Sequence, residues 1–344
     1  MEPILLLAHV EANGTLGKPA LEALAAALAL GGEVSVGLVG TTVEAAANQV
    51  AGCGAVRFLG VSGEPFGQAR YATDAAAAEA LCRASGAPLV IAAATSRWAR
   101  VLPGVAYRLG GRVDTHVTSI AAADGTLAVS RWFYRQRMEA VLTRAERPWI
   151  VLLEAGCVAA WSGPGGAASV EAVSVGGVET RTTVTGIEAP KAEEQTIRPD
   201  ARLLFVAGAG WTKKQSDGAV HAAEAEELIM GFLRAAKASL GGSKSLVDLS
   251  GEGQAVLRCM THLNQIGQTG ATPRHPKGLS TCCHGEEPHV VGWRFVTERR
   301  AVNLDANCGW ARGKADVLYV ADAFEVMRQV NRLLGNSARA FLPV

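Results

Sequence analysis

The 344-residue chain has no excess of either charge: 33 Lys and Arg stand against 32 Asp and Glu, a formal net charge of +1. Without a basic surplus, a sequence-independent attraction to nucleic acid or anionic lipid has no source in the composition. Long apolar runs are also missing. No stretch approaches the roughly 20 uninterrupted apolar residues of a membrane-spanning helix. The opening Met1-Glu2-Pro3-Ile4-Leu5-Leu6-Leu7 has no basic segment before its apolar run, which is only of strand length, so a targeting leader is not expected. The seven cysteines are odd in number and scattered, which excludes a disulfide scaffold and reads as reduced thiols in a cytoplasmic protein. No G-x-S-x-G elbow, H-E-x-x-H pair or Walker A loop occurs.

What is present is glycine, alanine and aliphatic residues. Glycine supplies 39 residues, above the usual share of about 7 %. Hydrophobic residues make up 49 %, so the chain can bury real cores, and its length suits about two domains. Strand signals at Ile4–His9, Val34–Val39, Val56–Leu59 and Leu89–Ala94 alternate with helical spacing over Leu21–Leu30, Val43–Val50, Thr73–Ser85 and Trp98–Leu109. This alternation predicts a parallel sheet covered on both faces.

From Thr115 to Thr185 the pattern turns strand-like, as in Val170–Val175, and predicts a β-rich extension that could complete a shared interface. The polar stretch Glu188–Pro199 reads as a linker. A second α/β unit follows, with strands at Leu203–Val206, Ala301–Leu304 and Asp316–Val320 and helices at Ala222–Ala236 and Phe324–Leu334. The expected organisation is an α/β domain over 1–195, a second over 196–335 and a tail over 336–344.

Several short motifs could carry chemistry. Gly208-Ala209-Gly210 directly after a strand could hold a phosphate at a helix N-terminus, although position 213 is Lys where a dinucleotide fingerprint has its third glycine. The alternative is an ordinary strand exit. Gly267-Gln268-Thr269-Gly270 is a compact turn with an amide and a hydroxyl, and Ser243-Lys244-Ser245 after Gly241-Gly242 loosely resembles a phosphate loop. Cys282-Cys283-His284 with His289 and Cys308 invites a metal reading, but no C-x2-C pair exists and buried thiols are the plainer account. Asp305, Asp316 and Asp322 could bind ribose; capping is the default for each.

Taken in order, these segments resemble the α subunit of electron transfer flavoproteins. Asn264-Gln265-Ile266-Gly267-Gln268-Thr269-Gly270 looks like that family's glycine-rich flavin segment. Gly285-Glu286-Glu287-Pro288-His289-Val290-Val291-Gly292 is similar to its S-G-A-I-Q-H helix start. Asn303-Leu304-Asp305 falls where the family has Asn-Lys-Asp, and Asp322-Ala323-Phe324-Glu325-Val326 resembles its closing segment. Leu102-Pro103-Gly104-Val105-Ala106-Tyr107-Arg108-Leu109 is similar to its L-P-x-x-A-x-x-L helix.

The resemblance implies an N-terminal parallel-sheet α/β domain and a C-terminal Rossmann-like domain that binds FAD. It assigns cofactor contacts to Gly208, Ser243, Lys244, Ile266, Gly267, Gln268, Thr269, His284, Gly285, His289, Asn303 and Asp322. It implies an electron carrier rather than an enzyme, working as a heterodimer with a β subunit that holds AMP or a second FAD. Electrons would come from a flavoprotein dehydrogenase and pass towards a quinone oxidoreductase or similar acceptor.

The sequence departs from the family pattern at the site. Gly208-Ala209-Gly210 replaces G-G-R-G, leaving Lys213 or Lys214 as the nearby cations. Lys244 replaces the arginine over the flavin ring, His284 a serine, and Pro288 the glutamine before His289; Cys308-Gly309-Trp310-Ala311 stands where the family has A-P-I-F. Lys244 and His289 are the expected stabilisers of an anionic reduced flavin: a cation about 4 Å from the ring contributes roughly 4 kcal/mol at an effective dielectric constant of about 20, before desolvation. His284 either donates to the flavin or fills the space. Two rival readings are an FAD-free docking paralogue and a redox sensor using Cys282, Cys283, His284 and Cys308.

Overall fold

The computed structural model describes residues 1–123, 126–133, 138–186, 197–198, 200–248, 255–266, 272–281, 295–307 and 315–340. The chain divides into two units, 1–188 and 189–344, each α/β.

The first unit is built on a nine-stranded sheet. In chain order its elements are β1 (Ile4–His9), α1 (Lys18–Ala29), β2 (Val34–Gly40), α2 (Glu44–Gln49), β3 (Arg57–Ser62), α3 (Glu64–Gly67), α4 (Tyr71–Ser85), β4 (Leu89–Ala93) and α5 (Ser96–Arg108). Then come β5 (Arg112–Ala123), β6 (Thr126–Phe133), β7 (Met138–Leu142), β8 (Trp149–Leu153) and β9 (Val170–Ala172). The sheet order is β7-β6-β5-β8-β4-β1-β2-β3-β9. Only the β5–β6 and β6–β7 ladders are antiparallel; the other six are parallel.

Period-two alternation in β1 builds both cores. Ile4, Leu6 and Ala8 point into one, with the Ala and Leu face of α1; Leu5 and Leu7 point into the other, with α4 and α5. Helix boundaries follow local chemistry. Pro19 sits in the first turn of α1, Gly86 takes the left-handed position that ends α4 (φ 63°), and the Thr95 hydroxyl accepts from the Trp98 N–H to cap α5.

The expected parallel sheet with a β-rich extension is present, the extension being the β5–β6–β7 meander. Strand structure does not continue to Thr185, however. After β8 and a turn at 155–158, the chain crosses α1 and α2, with the Trp161 N–H donating to Leu21 O and the Gly166 N–H to Asn48 O, and delivers β9 beside β3. The sequence expectation of a strand over Val170–Val175 shortens to Val170–Ala172 because the β3 ladder ends there.

The second unit contains β10 (Leu203–Ala207), α6 (Ala222–Ala236), β11 (Ser239–Gly242), α7 (Lys244–Asp248), β12 (His275–Thr281), β13 (Val296–Asn303), β14 (Val317–Val320) and α8 (Ala323–Ala340). Its five strands are all parallel in the order β11-β10-β12-β13-β14, the 2-1-3-4-5 arrangement of one common doubly wound sheet. Phe205, Ile229, Phe232, Phe324 and Met327 pack α6 and α8 on one face; Leu204, Val206, Ile266, Val296 and Ala301 form a smaller cluster on the other. Helix α8 runs to Ala340, past residue 335 where a tail was expected. Up to Leu334 it packs on the core it shares with α6, and Asn331 Nδ2 donates to Leu228 O at 2.8 Å.

Candidate functional site

A parallel sheet gathers its loops at the carboxyl ends of its strands, and in open α/β sheets ligands lie there, where strand order reverses. In the second unit that point lies between β10 and β12. The described candidates fall at these ends. Gly208 follows β10, Ser243 follows β11, Asn303 closes β13, and Asp322 lies two residues after β14. Backbone hydrogen bonds tie the first three strand ends together: the Gly208 N–H donates to Thr281 O at 2.9 Å, and the Ser243 N–H to Ala207 O at 3.0 Å.

Ile266 joins this group because two glycines let its segment approach. The Ile266 N–H donates to Gly242 O at 3.2 Å, and Gln265 bridges to Gly242 in parallel sense. A Cβ at Gly241 would come within 2.6 Å of Ile266 Cδ1, and one at Gly242 would overlap the end of Met260. A larger residue at either position would force Ile266 or the end of Met260 to shift. The turn leading in is capped reciprocally by Thr261 and Asn264, and Asn264 Nδ2 also donates to Leu240 O at 3.2 Å.

The polar groups at the site have defined partners. Ser243 Oγ, buried, accepts from the Leu246 N–H at 3.2 Å and caps α7. Asp322 Oδ1 accepts from the Glu325 N–H at 3.1 Å and caps α8. Asn303 is buried and its Nδ2 donates to Asp305 O at 3.1 Å; Asp305 and Asp316 accept from the backbone N–H groups of Asn307 and Arg299. One acceptor is orphaned. The side-chain oxygen of Gln265 is buried with no hydrogen-bond partner among the described residues, a state that typically costs about 1–3 kcal/mol. An unpaired acceptor at the bridge to Gly242 fits a site that receives a donor from a polar ligand.

The Gly208-Ala209-Gly210 turn differs from the sequence expectation. No long helix starts there: Ala209–Thr212 form a buried 3-10 turn, and α6 begins only at Ala222. Trp211 closes the turn. It is fully buried, its Nε1 donates to Thr281 Oγ1 at 2.9 Å, and its ring lies 4.6 Å from that of Phe324. The Gln215 amide donates to the carbonyls of Gly210 and Lys213. A phosphate at this turn would meet a short 3-10 turn rather than a full helix dipole.

Gly267, Gln268, Thr269, His284, Gly285 and His289, together with Cys282, Cys283, Pro288 and Cys308, lie outside the described residues, as does the side chain of Lys244. Among the described residues no three His, Cys, Asp or Glu are grouped to hold a metal. The nearest described thiol, Cys259, is pushed up to about 11 by burial and then by Glu226, so it is not a ready thiolate. Sequence reasoning missed Trp211, Thr281 and the orphaned Gln265 oxygen. The Thr261-x-x-Asn264 spacing was a legible signal; the others depend on which strands become neighbours.

No helix among the described residues is long and apolar enough to cross a membrane. No curated protein matches the chain. A sequence model for the family described as electron transfer flavoprotein domain matches residues 4–177, a little over half the chain.

Proposed function

This chain belongs to the electron transfer flavoprotein family, and from that premise we propose that it is the FAD-carrying subunit of a heterodimeric electron carrier. It takes electrons from a flavoprotein dehydrogenase and passes them towards a quinone oxidoreductase or similar acceptor, with a β-type subunit as its standing partner. The observation that carries this reading is the convergence of Gly208, Ser243, Ile266, Asn303 and Asp322, drawn from five separate segments, on the carboxyl ends of one parallel sheet.

FAD, when bound, supplies the one- and two-electron chemistry, and the protein supplies binding and electrostatics. The chain's own groups divide that work. Gln265 Oε1 accepts a hydrogen bond from the ligand, and the Ser243 hydroxyl, already accepting from Leu246, still has its proton to donate. Asn303 and Asp322 offer their remaining oxygens to the dinucleotide's polar groups. Trp211 and Phe324 keep water from beneath the strand ends. Lys244 and His289 bring positive charge to the flavin ring, with Gly267, Gln268, Thr269, Gly285 and His284 completing the contacts. The β5–β6–β7 meander, which exposes Met138 and Val141, is the proposed surface for the partner subunit.

The test is an absorption spectrum of the chain co-expressed with its β-type subunit, followed by stepwise dithionite reduction. About one FAD per heterodimer, bleached in steps, is the expected result. Colourless protein that refuses added FAD would establish the second reading, an FAD-free docking paralogue. That reading is favoured by the closed 3-10 turn where the family has its arginine.

A further inference from the structure

In the first unit an open cleft runs along the outer face of α4, from Tyr71 to Arg83. The extended segment that follows β9 packs Val173 and Val175 against the core beneath α4, and from Gly176 to Thr182 it passes along the outer side of that helix. It leaves an open cleft of about 840 Å³, within the roughly 300–1,000 Å³ typical of small-ligand sites. Ala72, Ala76 and Ala80 recur one turn apart and make a flat apolar floor. Gly176 and Gly177 on the opposite wall have nothing within 4 Å of an added Cβ, so that wall is bare backbone.

One end of the cleft is aromatic and its position is fixed. Tyr71 rests on helix α5 at Gly104, where any Cβ would overlap the tyrosine hydroxyl. The Arg108 guanidinium, one turn further along α5, lies over the Tyr71 ring at 5.9 Å. The charged groups are unevenly matched. Glu79 is shared between Arg83 at 2.8 Å and Arg108 at 3.5 Å, so one carboxylate faces two guanidinium groups. Arg181 and Glu179 bring the lining to three cations against two anions, and no described residue pairs with Arg181.

We propose that this cleft binds a small aromatic anion, an aryl phosphate or an aryl carboxylate. The ring lies flat on the alanine floor beside Tyr71, where an offset or edge contact is favourable. The anionic group meets Arg181, whose planar fork suits both phosphate and carboxylate. A bare inorganic anion gains the charge but not the floor. The inference is independent of the flavin reading, because every group it uses lies in the first unit.

Phenyl phosphate, benzoate and inorganic phosphate would each be titrated into the full-length chain, as purified, by saturation-transfer NMR and calorimetry. Phenyl phosphate or benzoate should saturate, and the stronger of the two identifies the anionic group. Inorganic phosphate should bind at least about tenfold more weakly. Ala76→Leu fills the floor and should abolish binding of both aromatic probes. Arg181→Gln, on an exposed side chain that does not threaten folding, should weaken them about three- to tenfold, with the difference shrinking at high salt. The proposal fails if neither aromatic probe saturates, if inorganic phosphate binds as tightly as phenyl phosphate, or if Arg181→Gln and a folded Ala76→Leu both bind as the wild type does.

Discussion

The two units use parallel sheets differently. In the first, β2, β4 and β8 are buried along their whole length, with a core on each face. In the second, burial is uneven: β10 and β11 are buried almost throughout, β14 is largely exposed, and β12 and β13 are mixed. Strand β13 exposes Thr297, Glu298 and Arg300 but buries Ala301, Val302 and Asn303, and β12 exposes Pro276 and Lys277 but buries Ser280 and Thr281. Exposed ion pairs occur in both units, but a buried one is found in the first. Arg97 and Asp74 form a buried two-point pair at 2.6 and 3.0 Å in the first unit, whereas Lys277 and Glu298 in the second pair in the open at 3.6 Å. A sheet buried throughout behaves as scaffold. One whose central strands are buried while β14 stays exposed is covered less completely towards that edge.

The contrast breaks most sharply at the buried pair. Arg97→Met leaves the Asp74 carboxylate, which is 0 % exposed, without its partner, and should cost about 3–5 kcal/mol. Lys277→Met in the second unit should stay within about 0.5 kcal/mol. Urea unfolding combined with hydrogen exchange in each unit checks both values.

A somewhat smaller effect depends on pH. Burial, and then the Arg97 charge, lower the His9 pKa to about 4, although the Glu11 carboxylate lies 3.7 Å away. Between the ordinary value of 6.5 and about 4 the unfolded chain therefore binds more protons than the folded one. Stability is lost as pH falls through that window, by roughly 3 kcal/mol from this residue. His9→Gln should flatten that slope in urea midpoints measured across the window. Asp114 acts in the same sense at lower pH. Burial raises its carboxyl, but the Arg144 and Trp149 hydrogen bonds outweigh this and hold it below the usual range, so its stabilisation is lost only as pH falls through that depressed value.

The smallest test sharpens the comparison at the site itself. Ser243→Ala removes the α7 cap and should cost about 1 kcal/mol of stability. Loss of FAD affinity beyond that, read by flavin release on dilution, gives the hydroxyl a contact with the ligand. Unchanged affinity leaves it a cap.

Strands β1, β2 and β4 were legible because uninterrupted apolar runs suit a sheet buried on both sides. Helix α6 was legible to its ends, since a surface helix writes its apolar stripe into the sequence at a fixed period. Strands β11 and β12 were not. Ser239-Leu240-Gly241-Gly242 contains two glycines required by the approach of Ile266 and Met260. His275-Pro276-Lys277-Gly278 reads as a turn, yet Pro276 lies just before the register in which β12 joins β10 at Lys277. At the site, Ser243, Asn303 and Asp322 were singled out by the resemblance and the Asp322 cap was the default reading, but the bonds of Ser243 to Leu246 and of Asn303 to Asp305 were not legible.

The family match lies within 4–177, whereas the proposed flavin site lies wholly beyond it, so the scaffold is identified directly and the site is argued from geometry. The sequence by itself determined the α/β alternation and the two-unit organisation, because periodicity and composition are local properties of a chain, and its motifs carried the resemblance to the family. Tertiary structure alone decided the strand order, the orphaned Gln265 oxygen, the burial of Trp211 against Thr281 and the cleft beneath Arg181. Each depends on which distant segments become neighbours, and that is set by competition among many weak packing and hydrogen-bonding terms.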